Sequence, residues 1–121
     1  MYQKRMEELQ KALYETNIFD YQIDNFDGDT LVLLGSFDLA YYYEIKLTFK
    51  KVDYINCPSF FDIDRIRLAT EEEKQKNSIQ CQLDKEDIMI VFDVDVLETY
   101  YFIICQDFEY EMGLRYFNES N

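Results

Sequence analysis

The hydrophobic pattern changes period once, near Asn17, and keeps the new period to the end of the chain. Before that point Tyr2, Met6, Leu9 and Leu13 recur at helical spacing, while Lys4, Glu7, Glu8 and Lys11 fall on the other side. Residues three and four apart share a helix face, so residues 2–15 are predicted to form an amphipathic helix. Glu7 and Lys11 add a favourable i,i+4 pair, and Thr16-Asn17 is the expected stop. A helix this short needs a sheet to lie against.

After Asn17 the period is two, the signature of strands with one covered and one wet face. Ile18, Tyr21 and Ile23, then Asp27-Gly28-Asp29, then Leu31 to Leu34 read as a β-hairpin, with Gly35 marking a bulge or bend. The longest strand signal covers 41–54, where Tyr43, Ile45, Leu47 and Phe49 alternate with Tyr42, Glu44, Lys46, Thr48 and Lys50. At Lys50-Lys51 the alternation slips by one, which predicts a bulge or bend before Val52 and Tyr54. Pro58 removes a donor and ends the element. One short strand is expected around Ile66 and Leu68. The charged run 71–76 reads as a solvated loop or helical turn. Ile79, Cys81 and Leu83 alternate again, and Asp84 to Asp87 make a turn. The first half of 88–95, and 97–106, are apolar on both faces, which suits central strands or strands with a helix over them. Phe108 to Tyr116 is a clean final strand.

Sequence-adjacent strands pair antiparallel, and no ten-residue helical crossover separates them, which excludes Rossmann and barrel α/β designs. The expected fold is α+β. An N-terminal helix packs on a strongly curved, mostly antiparallel sheet of seven or eight strands, in a single domain over 1–121. A β-sandwich with the helix at one end is the second choice.

Composition sharpens this picture. The chain has 121 residues, 11 Tyr, 10 Phe and no Trp, a sheet-like aromatic bias. Its formal charge is −13, which opposes binding to nucleic acid or to an anionic membrane surface. The same field suits a basic protein partner, or serves solubility alone. No run of 18 apolar residues is present, so no membrane span is expected. Cys57, Cys81 and Cys105 form no C-x-x-C, and the odd count suits a reducing, cytoplasmic setting. An exposed edge strand leaves monomer and edge-paired homodimer open.

The chain contains no histidine. That removes the commonest base near neutral pH and the commonest metal ligand, and with them Ser-His and Cys-His nucleophiles. No phosphate-binding glycine loop is present either. Carboxylates are what remain. Asp93-x-Asp95 places two on one strand face, where they either meet an ion or line the wet end of the strand. Asp62-x-Asp64, beside Arg65 and Arg67, reads most plainly as an ion-paired network. Asn25-x-Asp27-Gly28 fails as a calcium loop, since Ile23 and Leu34 fall at ligand positions. No catalytic residue, metal or cofactor is expected.

The segment Asp27-Gly28-Asp29-Thr30-Leu31-Val32-Leu33, followed by Glu44 to Pro58 with Leu47, Phe49, Val52, Tyr54 and Ile55, resembles a group of small acidic, β-rich bacterial proteins. Some of these are similar to immunity proteins that neutralise secreted toxins. The likeness covers about a third of the chain and departs at Lys50-Lys51, where relatives tend to carry an acidic residue and glycine. It implies no catalytic residues. Together with the charge it leads to the expectation of a non-enzymatic binding domain that occludes a basic toxin surface. The expected face comprises Tyr42, Glu44, Asp93, Asp95, Tyr100, Glu109 and Glu111. The alternatives are an accessory domain with no specific binding face, and a carboxylate-metal-dependent hydrolase.

Overall fold

The computed structural model describes residues 2–16, 18, 20–78, 83–94 and 99–116. Helix α1 spans Tyr2–Tyr14 and buries Met6 and Leu9, as the spacing predicts. The strands are β1 (Asp20–Phe26), β2 (Leu31–Ser36), β3 (Tyr42–Lys50), β4 (Tyr54–Asn56), β5 (Phe60–Asp62), β6 (Arg65–Leu68), β7 (Ile88–Val94), β8 (Thr99–Cys105) and β9 (Asp107–Tyr116). A short helix α2 (Glu71–Asn77) lies between β6 and β7.

All strand pairs are antiparallel, but they form two sheets rather than one curved sheet of seven or eight strands. The first has five strands in the order β5-β1-β2-β3-β9, and the second has four in the order β4-β8-β7-β6. This is nearer the sandwich alternative. The reason is local. Lys51 adopts φ 53°, a left-handed conformation that turns the chain out of β3. Opposite it, Gln106 interrupts the run from β8 to β9. The Gln106 N–H donates to the Lys50 carbonyl (3.1 Å), and the Asp53 N–H donates to the Ile104 carbonyl (2.8 Å). A long two-stranded ribbon therefore bends as a pair and changes sheets. On the other side, the single strand expected around Ile66 is split by Ile63-Asp64 into β5 and β6, one in each sheet.

One core fills the space between the sheets. Leu33, Leu47 and Phe49 of the first sheet meet Ile90, Phe92 and Ile103 of the second, and Met6 and Leu9 join from α1. The Tyr2 hydroxyl donates to the Gln106 carbonyl and Gln10 donates to the Ile66 carbonyl (both 2.8 Å), so α1 runs from the bent ribbon to β6. β7 and β8 are covered on both faces. Met89, Val91, Phe102 and Ile104 form a second cluster beneath Tyr54, Ala69, Leu83 and Tyr100. α2 is tied to this side at Asn77, whose amide donates to the Tyr100 hydroxyl (3.1 Å). Its start is held by a reciprocal cap between Thr70 and Glu73.

The Asp27-Gly28-Asp29 hairpin is present as expected. Gly28 has φ 97°, and the Asp27 carboxylate accepts from the N–H groups of Thr30 and Asp29, which hold it below its ordinary pKa. Gly35 is neither bulge nor bend: it pairs in register with Tyr21 and Ile45. A β-carbon there would lie 2.5 Å from a Tyr21 ring carbon, so its role is close packing. The alternation at Ile79 and Cys81 lies outside the described residues, and Leu83 is not in a strand.

Candidate metal centre

The bend that divides the sheets also sets the geometry of three carboxylates. Asp53 lies just past Lys51, where its N–H reaches β8. On the other flank of β8, the turn from Asp84 to Asp87 closes on itself. The Asp87 N–H donates to the Asp84 carbonyl (3.0 Å) and the Asp84 N–H to the Asp87 carboxylate (2.9 Å). Ile88 then starts β7 opposite Cys105. Asp53 and Asp87 thus approach the C-terminal end of β8 from its two neighbouring strands. One carboxylate oxygen from each of Asp53, Asp84 and Asp87 lies within 4.8 Å of the other two.

Asp53 and Asp84 are exposed and Asp87 is half-buried. None of the three forms an ion pair among the described residues. The donor set is all hard oxygen, which suits Ca²⁺, Mg²⁺ or Mn²⁺ and not soft metals. Ca²⁺ holds oxygens at about 2.3–2.6 Å, so its ligands lie up to about 5 Å apart across the ion. The spread of these oxygens fits one such ion, with further positions left to water. The nearby Cys105 thiol is not a ligand. Burial pushes it up to about 12, and the Asp107 and Asp87 carboxylates push the same way, so it stays protonated.

The residues expected to form a binding face fall into two groups. Tyr42, Glu44, Glu109 and Glu111 lie on β3 and β9 of the first sheet, whereas Asp93 and Tyr100 are cross-strand partners in the second. Asp95 lies outside the described residues. Most of these groups are engaged within the chain. Glu44 accepts from the Phe37 N–H (2.9 Å), Glu109 pairs with Lys50 (3.3 Å), and the Tyr100 hydroxyl accepts from Asn77. Asp93 lies between Arg65 (3.1 Å) and Arg67 (2.8 Å). Burial raises its pKa, and the Arg67 and Arg65 guanidiniums outweigh that and hold it below the ordinary value. Glu111 is exposed opposite Lys46, and Tyr42 is half-buried. The arginine network expected for Asp62 and Asp64 is built instead on Asp93 and Glu73.

These placements, with the convergence of Asp53, Asp84 and Asp87, overturn the expectation of a non-enzymatic, toxin-occluding binding domain. Of the carboxylates meant to face a partner, Asp93 and Glu109 are ion-paired within the chain and Glu44 is held by a backbone N–H, and three others gather where one cation fits. Sequence reasoning missed this set because Asp84 and Asp87 looked like ordinary turn residues and Asp53 like part of a strand. The slip in alternation at Lys50-Lys51 was the available signal, since it moves Asp53 around a corner.

A separate cavity of about 550 Å³ lies between α1 and β6, lined by Gln10, Leu13, Tyr14, Ile63 and Ile66 among others. It does not include the three aspartates, so the carboxylates and this cavity are distinct features. Among the described residues no helix is long and apolar enough to cross a membrane. No protein-family model matches the chain, and no curated protein or solved structure matches it either.

Proposed function

We propose that the chain is a carboxylate-metal protein in which Asp53, Asp84 and Asp87 hold one hard divalent cation. Metal-assisted hydrolysis is the reaction class such a site serves. The observation that carries this reading is the mutual approach of three carboxylate oxygens, one from the bend at Asp53 and two from the Asp84–Asp87 turn, all within 4.8 Å. When bound, a divalent ion supplies Lewis-acid stabilisation and acidifies a coordinated water. With no histidine in the chain, a carboxylate is the available base. The exposed side of the site leaves room for water and substrate on the ion. A cytoplasmic setting accords with this, since the described Cys57 and Cys105 are free thiols.

The test is calorimetric titration of the native chain with Ca²⁺, Mn²⁺ and Mg²⁺ in turn. The chromogenic phosphodiester bis(p-nitrophenyl) phosphate then serves as a hydrolysis probe with the ion that binds best. One-site binding that is lost in the Asp84→Asn, Asp87→Asn double variant supports the reading. A native chain that binds none of the three ions refutes it. Binding without turnover of the phosphodiester would confine the proposal to the metal site and remove phosphodiesters as substrates.

A further inference from the structure

A second carboxylate arrangement lies at the opposite margin of the first sheet. Asp20 opens β1, Asp62 closes β5, and the two are direct cross-strand partners. β5 has only three residues and forms the sheet edge, paired to β1 alone within that sheet. Yet it carries Phe61, a buried ring that packs against Tyr21, Phe92 and Tyr101 with centroids 6.2, 5.7 and 5.5 Å away. One short edge pairing thus holds a residue that closes the core where the sheets meet.

Like charges directly opposite on paired strands destabilise the pairing. The register sets the two carboxyls side by side across the strands, so a proton on one of them relieves the repulsion and lets it donate to the other. The charged groups around Asp20 add no relief. β5 contributes Asp62 and the 37–41 loop contributes Asp38, both of which disfavour the ionised form. From β2 the register partner is Ser36, whose hydroxyl is shared with the Glu44 carboxylate of β3. On β6 the nearest base in sequence, Arg65, is committed to Asp93. Neither Asp20 nor Asp62 forms an ion pair among the described residues. Burial, then the bond and charge of Asp62, then the charge of Asp38, bring Asp20 up to about 6.

We infer that Asp20 and Asp62 form a proton-operated clasp: one shared proton fastens β5 to β1, and its release to solvent loosens the edge strand and the Phe61 plug. This does not depend on the metal reading, because the clasp shares no residue with Asp53, Asp84 and Asp87. The sign follows from the raised value in the folded state. Clasp stability is present below the unfolded carboxylate range, declines as pH rises through about 4 to 6, and is absent above.

The experiment is carbon-detected NMR titration of the aspartate carboxyls, with amide exchange of residues 60–62 corrected for intrinsic chemistry. Asp20 should titrate near 6. Protection at Phe61 should rise about tenfold between about pH 7.5 and about pH 5, the larger value implied by the full displacement being reduced by solvent screening. Asp62→Asn should return Asp20 toward the ordinary carboxylate range and flatten the pH dependence. Asp20→Asn, which removes the pair from the other strand, should do the same to exchange. An Asp20 midpoint near 4 overturns the inference. So does a pH-independent wild type, or an unchanged pH dependence in both variants.

Discussion

Arg67 is the most heavily engaged cation in the described structure, and its removal is the most informative perturbation of the fold. Its guanidinium makes two 2.7 Å bonds to the Glu73 carboxylate and bonds of 2.8 and 3.1 Å to Asp93. The side chains of Arg67, Glu73 and Asp93 are only 19%, 16% and 15% exposed. The bidentate bond from Arg67 brings Glu73 from 4.5 down to about 2. Converted at about 1.4 kcal/mol per pH unit, that displacement corresponds to roughly 3 kcal/mol, of which solvent screening at this rim site leaves about 1–2 kcal/mol. Glu73→Gln should therefore cost about 1–2 kcal/mol near pH 7. Arg67→Met keeps the apolar stem but strands two partly buried carboxylates, with Arg65 left to serve Asp93, and should cost about 3 kcal/mol. Because the folded value of Glu73 is depressed, its contribution is complete above about 4.5, about halved near pH 3, and gone below about 2. With no tryptophan in the chain, urea unfolding followed by circular dichroism at several pH values is the assay. A Glu73→Gln cost that stays constant from pH 7 to pH 3, or an Arg67→Met variant as stable as wild type at pH 7, refutes the reasoning.

Two further substitutions test the backbone devices. Gly35→Ala drives a β-carbon to 2.5 Å from Tyr21 and 2.8 Å from Ile45. It should cost about 1–3 kcal/mol, seen as a fall in Tm with the fold retained; an unchanged Tm would show that Tyr21 gives way freely. Lys51→Gly places glycine at φ 53° and should raise Tm, by about 0.5–1 kcal/mol in stability. A loss of stability there would mean that the lysine side chain, and not the backbone turn, holds the corner.

The elements were legible where periodicity is dictated by one covered face. The spacing of Met6 and Leu9 and the alternation of Ile45, Leu47 and Phe49 place these residues correctly in the core. The double-sided apolar character of the first half of 88–95 also has one of its two expected causes: β7 is a central strand, between β8 and β6, with Met89 and Val91 in a second apolar cluster. What alternation cannot encode is which sheet a strand joins. Ile63-Asp64 and Gln106 are unremarkable residues, and the change of sheet at each is decided by which backbone groups find partners in three dimensions. The same limit hid the convergence of the three aspartates. Asp53 and the Asp84–Asp87 turn meet only because β8 lies between β4 and β7. Asp93 was visible as a candidate but its role was not, because the arginines that claim it lie on a neighbouring strand in register, Arg65 directly opposite.

Charge accounting explains why the remaining acid is chemically interesting. The chain carries 25 acidic and 12 basic residues, so many carboxylates have no internal cation to meet. Among the described residues, Arg5, Lys50, Arg65, Arg67 and Lys74 are the bases in ion pairs, and they meet Asp107, Glu109, Asp93, Glu73 and Glu71. A carboxylate left over stands alone in water at little cost, unless the fold brings it against another. Among the described residues the fold does so at two places, and they differ in a way that separates their chemistry. Asp20 and Asp62 are held opposite each other by the register of paired strands, where one proton relieves two like charges. Asp53, Asp84 and Asp87 come from a bend and a turn, with oxygens spread over as much as 4.8 Å, a spacing too wide for one proton to bridge all three and suited to an ion with a coordination shell. Lowering the pH should therefore tighten the first site and weaken cation binding at the second, because protons compete with the ion for its ligands. A calcium or manganese titration at about pH 5 and about pH 7.5, run beside exchange at Phe61, reads the two opposite responses in one sample. Parallel responses would show that the two groups are one electrostatic system, and the separate assignments would fall together.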